Sequence, residues 1–178
     1  MDDILLFRIG LLLWAVFSFA AACWIFTLNG GNVSRRIAIA RSRWVGGIAG
    51  GAALALTVPQ MQALLWSWLL PWYIPAIVVF LILSIIYLDY PGSRGVAGIV
   101  LIGAYYFLYY SFALQMPGAL AGCIFFWVAA LWAIAVSGKP CWMRDHVQWL
   151  SKHPVLRPVT AVVLAGAGVY CVYGSIVL

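Results

Sequence analysis

The sequence predicts an all-α, polytopic membrane bundle of six transmembrane helices, one domain over residues 1–178, with both termini outside. Three observations predict it. The chain is 66% hydrophobic and only 8% charged, against about 25% charged for soluble domains. A soluble fold of this size has too little interior to hide that apolar surface, so most of the chain is solvated by lipid. The apolar residues also run in stretches suited to crossing a hydrocarbon core of about 30 Å. Finally, of the 10 Lys and Arg residues, all but Arg8 fall in three gaps between those stretches. The first gap holds Arg35, Arg36, Arg41 and Arg43, the second Arg94, and the third Lys139, Arg144, Lys152 and Arg157. The alternate gaps carry no basic residue. Basic loops stay cytoplasmic, so these three gaps face inward, in the plasma or inner membrane of the cell.

The first span covers residues 4–28, roughly 37 Å of helix at 1.5 Å per residue. Arg8 lies near its outer end and snorkels to the headgroups. Asp2 and Asp3 precede it and leave the N-terminus free to sit outside, because basic residues set orientation. Ala20-Ala21-Ala22-Cys23 resembles a weak lipoprotein cleavage site. The apolar run continues past Cys23 and the start is acidic rather than basic, so the segment reads as a retained span.

The second span covers residues 44–68 and contains Pro59, followed by Gln60 and Gln62. Trp44 marks its inner interface, and Trp66 and Trp68 its outer one. Pro59 predicts a kink in the outer half; the alternative is a half-helix followed by an interfacial segment. The third span, residues 74–88, is short, with Pro71 and Pro75 at its outer start and flanking aromatics (Trp72, Tyr73, Tyr87, Tyr90) covering its ends. Residues 89–94 form a tight inner turn, with Pro91 and Gly92 in turn positions. The fourth span, 95–114, leads through a minimal outer turn (Gln115, Met116, Pro117, Gly118) to the fifth, 118–137. Pro154 and Pro158 bracket the start of the sixth, 159–178.

Between the last two spans, residues 141–152 read as an amphipathic helix lying in the inner headgroup plane. Trp142, Met143, His146, Val147, Trp149 and Leu150 share one face; Arg144, Asp145, Gln148, Ser151 and Lys152 share the other. Three spans per half permit an inverted repeat, but any two three-span halves do so, and no residue match supports one.

Function is far less constrained. There is no Glu in the chain, and the four Asp (Asp2, Asp3, Asp89, Asp145) fall at or beyond the interfaces. Ion-coupled pumps and proton relays need intramembrane acids or bases. Intramembrane metalloproteases need His and carboxylate ligands. Neither pattern is here. The two histidines, His146 and His153, lie in one inner loop, so a bis-His haem between helices is disfavoured. The cysteines (Cys23, Cys123, Cys141, Cys171) form no CxxC pair and read as small apolar fillers. Cys123 and Cys171 fall in outer helix halves, where a disulfide is conceivable but not favoured. The reading therefore expects no catalytic residues, no metal and no cofactor, and leans away from an enzyme. The net charge of +6 is divided among loops flanking spans, which points to anionic lipid rather than nucleic acid.

Arg144, Asp145, His146 and Lys152 form the one cluster of polar functional groups. They are candidates for holding a lipid headgroup or another anion; the plainer reading is a solvated helix face. Small residues at helical spacing suggest close helix packing: Gly46, Gly47, Gly50 and Gly51 on the second span, Gly118 and Gly122 on the fifth, Ala161, Ala165 and Gly168 on the sixth. Such faces pack internally or join a second copy or a larger membrane complex. Pro59, Gln60, Tyr105 and Tyr109 are candidates for lining a cavity. The leading functional expectation is a non-catalytic accessory or scaffolding subunit or lipid-binding protein. The second is a facilitative transporter of a small solute, with a path between the second and fourth spans. The third is a lipid-modifying enzyme at the inner surface.

Overall fold

The computed structural model describes residues 3–64, 68–116 and 118–178, and among them all regular structure is helical. In chain order the helices are α1 (Asp3–Phe26), α2 (Val33–Arg41), α3 (Arg43–Leu64), α4 (Leu70–Tyr87), α5 (Pro91–Ala113), α6 (Ala119–Gly138), α7 (Cys141–Lys152) and α8 (Leu156–Val177). Four of them, α1, α5, α6 and α8, are long and apolar enough to cross a membrane. Helices α3 and α4 carry the shorter apolar stretches Arg43–Val58 and Pro71–Tyr87. The expectations resting on Asp2, Trp66, Pro117 and the side chains of Pro59, Gln60 and Gln62 lie outside the described residues.

Several boundaries differ from the sequence reading for physical reasons. Helix α4 begins at Leu70 and takes in both prolines. Pro71 sits in the first turn, where its missing N–H has no intrahelical partner to lose. Helix α3 is unbroken from Arg43 to Leu64. Helix α5 starts at Pro91, not Gly95, again with proline at the first position. It ends in a Schellman motif: Met116 N–H donates to Ser111 O at 3.0 Å, Gln115 N–H donates to Phe112 O at 3.2 Å, and Gln115 takes φ +48°. Gly118 falls outside α6 at φ +72° with open space where a Cβ would lie. It therefore serves the turn and not a packing face.

The chain forms two compact units. The first comprises Met1–Val33, Gly103–Ala130 and His146–Leu178. In it α1 and α8 run antiparallel: Phe19 lies against Gly168, and Leu11 against Gly174. Lipid offers no hydrophobic drive for helices to associate, so close packing over small residues has to hold them. A Cβ on Gly168 would approach the Phe19 ring to 3.0 Å, and one on Gly122 would strike Phe107 and Tyr170. The interior is aromatic. Phe107 stacks on Phe126 with centroids 4.1 Å apart, Trp14 meets Phe126 edge-on at 5.3 Å, and Phe7 stacks on Tyr110 at 5.5 Å. Each such pair contributes about 0.5–1.5 kcal/mol beyond area burial. Cys123 and Cys171 are buried free thiols in this core.

The second unit comprises Ser34–Ile102 and Leu131–Asp145. Its small residues divide between two partners of α3. Gly46, Ala49 and Ala53 face α5: a Cβ on Gly46 would lie 2.5 Å from Pro91, and one on Gly95 would lie 2.9 Å from Ala49 Cβ; Gly50 offers α5 only its backbone, and a Cβ on it would meet Leu81 of α4 at 3.5 Å. The pairing of 46 with 91 and 53 with 98 makes α3 and α5 parallel. Gly47 and Gly51 face α4, opposite Ile85 and Leu81. Farther along, Thr57 Oγ1 and Tyr73 OH are hydrogen bonded at 2.9 Å, so α3 and α4 are antiparallel. Helix α2 was read from sequence as a basic loop. It ends against the first turn of α5, where a Cβ on Gly92 would sit 2.6 Å from Ile39 O. Ser93, fully buried, donates its hydroxyl to Ala40 O at 3.5 Å. The carbonyl end of α2 thus meets the amide end of α5, a favourable dipole arrangement.

Candidate anionic-headgroup site

Arg41, Arg43 and Arg94 lie where α2 ends and α3 and α5 begin. Tyr90, in the turn before α5, is central. Its φ of +55° is a genuine outlier for a bulky residue, a conformation that costs about 1–3 kcal/mol and clusters at functional positions. Arg41, the last residue of α2, lies over the Tyr90 ring with Cζ 5.1 Å from the centroid. This cation–π contact holds the guanidinium in place without neutralising it.

Arg144 and Asp145, both predicted as site residues, pair with each other. Arg144 Nε donates to Asp145 Oδ1 at 2.8 Å, and a terminal nitrogen reaches the same oxygen at 2.7 Å. The hydrogen bond to Asp145, then its charge, then Tyr90 raise the Arg144 pKa above its usual value. Both side chains stay well exposed, at 38% and 50%. Arg94, in the first turn of α5, has a buried Nε without a hydrogen-bond partner among the described residues. Lys139 Nζ lies 6.0 Å from the Trp142 ring centroid.

The other two predicted site residues, His146 and Lys152, belong to the first unit's part of α7. Both are exposed. Lys152 is eight residues beyond Arg144, roughly 12 Å along a helix axis. The His146 ring keeps some solvent surface, but Trp149, 6.0 Å away, is among its neighbours. Partial burial lowers its pKa below the usual 6.5. The buried side of this helix is Val147 and Leu150; the two tryptophans flank it and are about half exposed. His153 is held by its own helix, Nδ1 lying 2.8 Å from Trp149 O.

Arg157 was read as one more loop cation, yet it is a clamp. Its Nε donates to Leu150 O at 3.0 Å and one terminal nitrogen donates to Leu28 O at 2.6 Å; the other donates to Ser151 O. One side chain thereby ties carbonyls at the end of α7 to the carbonyl of Leu28, just past the end of α1; Leu150 O also accepts from His153 N–H. Sequence spacing alone carries no sign of this.

Tyr105 and Tyr109, predicted as cavity lining, stack at 6.2 Å on an exposed face of α5, at 49% and 57% exposure. Ala161 is buried and Ala165 half-buried on α8. A groove of about 480 Å³ runs between α3 and α4, lined by Arg43, Trp44, Gly47, Ile48 and Ile85. Its walls are apolar and its one charge is Arg43. Arg41 and Arg43 have no ion-pair partner among the described residues. Sequence reasoning missed Arg41, Arg43 and Tyr90 as a group, although the unusual density of arginine over 35–43 was visible. No protein family, characterised protein or solved structure matches the chain.

Proposed function

We propose that this is a six-span integral protein of the plasma or inner membrane, both termini outside, that carries no chemistry and acts as a lipid-binding scaffold or accessory subunit. The four long apolar helices support membrane residence. Two further crossings are supported by the second unit. Helix α3 runs parallel to α5 in register, and α4 returns antiparallel to α3. That is the alternation expected if both share the depth of α5. The observation that carries the lipid reading is the gathering of Arg41 and Arg144 about Tyr90, with Arg43 unpaired at the mouth of an apolar groove. Exposed basic side chains beside an apolar helix surface attract anionic headgroups, each contributing roughly 1 kcal/mol.

The transporter reading needs a polar path between α3 and α5. The close approach at Gly46, Gly95 and Gly98 counts against it, because the two backbones nearly touch there. The test is purification in mild detergent from native-level expression, with mass spectrometry of the intact complex and its retained small molecules. A reproducible partner protein or retained phospholipid is expected. A lone chain without lipid, which passes a small solute when reconstituted, would contradict the reading.

A further inference from the structure

The groove between α3 and α4 has the unpaired Arg43 in its lining, and the unpaired Arg41 lies two residues earlier in the chain. The groove is lined by Trp44, Gly47, Ile48 and Ile85 and opens at Arg43. Gly47 keeps it open: a Cβ there would already sit 3.2 Å from Ile85 Cδ1. Trp44, at 84% exposure, presents a broad amphipathic ring beside the arginine, suited to the depth of the headgroups. Helix α2 ends at Arg41 and α3 begins at Arg43, so chain geometry alone keeps their Cα atoms within about 7.6 Å. Two arginine side chains rooted that close together are long enough to converge on one phosphate, provided Arg41 turns from the Tyr90 ring.

Within the same unit, Arg144 is paired with Asp145. Arg41 lies over Tyr90 in a contact that leaves its charge uncompensated. An uncompensated guanidinium lining an apolar groove, with a second one rooted two residues earlier in the chain, matches an amphiphile with a phosphate head and a hydrocarbon tail. Arginine suits that head because its fork of donors matches phosphate oxygens.

We propose that the second unit seats one anionic phospholipid, its phosphate on Arg41 and Arg43 and one acyl chain along the groove of Trp44, Gly47, Ile48 and Ile85. The proposal rests on the lipid-binding membrane reading above and names the lipid class and the seat. A net-negative head is selected over a zwitterionic one, whose ammonium would lie beside two cations.

The test uses the full chain. Residence in the membrane is checked first: if the chain leaves the membrane fraction in an alkaline carbonate wash, the membrane reading itself fails before any lipid is added. The delipidated protein in mild detergent is then titrated with phosphatidylglycerol, with phosphatidylcholine of the same chains, and with glycerol phosphate, and bound species are counted by native mass spectrometry. One phosphatidylglycerol should bind with about 30-fold preference over phosphatidylcholine, the factor two basic residues supply at an anionic surface. Glycerol phosphate should not bind at millimolar concentration. The double variant R41Q/R43Q should lose the preference, and R41K/R43K should keep most of it, which separates charge from folding. Equal retention of the two lipids, an unchanged preference in R41Q/R43Q, or glycerol phosphate binding as well as the lipid would each overturn the proposal. The last outcome would mean a free-phosphate site with the groove unused.

Discussion

At the scale of the residue, the decisive side chains are arginines in three different states. Arg144 is neutralised by its neighbour, Arg41 is held over an aromatic ring, and Arg157 is consumed by backbone carbonyls. In the sequence all three are the same letter in the same kind of gap, and the positive-inside pattern treats them alike. Only side-chain reach separates them. Arg157→Gln should cost about 3 kcal/mol of stability, since charged hydrogen bonds contribute roughly 1.5–3 kcal/mol each and Gln replaces few of them. Denaturation of the detergent-solubilised protein checks this, with Arg157→Lys as the intermediate case. An unchanged midpoint for Arg157→Gln would remove the clamp from the account. Tyr90 was equally illegible as a site residue: it reads as an interfacial aromatic until its positive φ and its two arginine neighbours are seen.

At the scale of the element, legibility follows hydropathy. The long apolar helices are readable because lipid demands uninterrupted apolar runs and internally satisfied backbones. Helix α7 falls on Cys141–Lys152, the span expected from its amphipathic period. Helix α2 escaped notice because its charges mask a helical period too short to register. Its stability also comes from docking its carbonyl end on Gly92 and Ser93 of α5, a long-range contact. The glycines were legible as packing residues in kind but not in partner: adjacent positions Gly46 and Gly47 serve different helices, α5 and α4. This division predicts a contrast between two glycines. Gly92→Ala places a methyl against backbone carbonyl oxygens that have no flexible end to yield, so overpacking should destabilise by about 1–3 kcal/mol. Gly166→Ala meets nothing within 4 Å and should leave the unfolding midpoint unchanged or raise it slightly through helix propensity. Comparable losses at both sites would contradict the packing described for α2 and α5.

At the scale of the whole molecule, the central claim is six crossings with every basic gap on the inner side. Four apolar helices alone place the termini on the same side as six would, so labelling the ends does not distinguish the two arrangements. The difference lies at the turn between α3 and α4. If both helices cross, that turn is outside; if they form a re-entrant hairpin, it returns inside or stays buried. Helix α3, 22 residues long, reaches about 33 Å, and α4, with 18 residues, reaches about 27 Å, close to the hydrocarbon thickness. The most direct measurement is a single cysteine at that turn, Trp68→Cys in a background where Cys23, Cys123, Cys141 and Cys171 are replaced by alanine, probed with a membrane-impermeant thiol reagent. Six crossings predict labelling in intact cells. Labelling only after permeabilisation would put the turn inside and contradict the six-crossing topology.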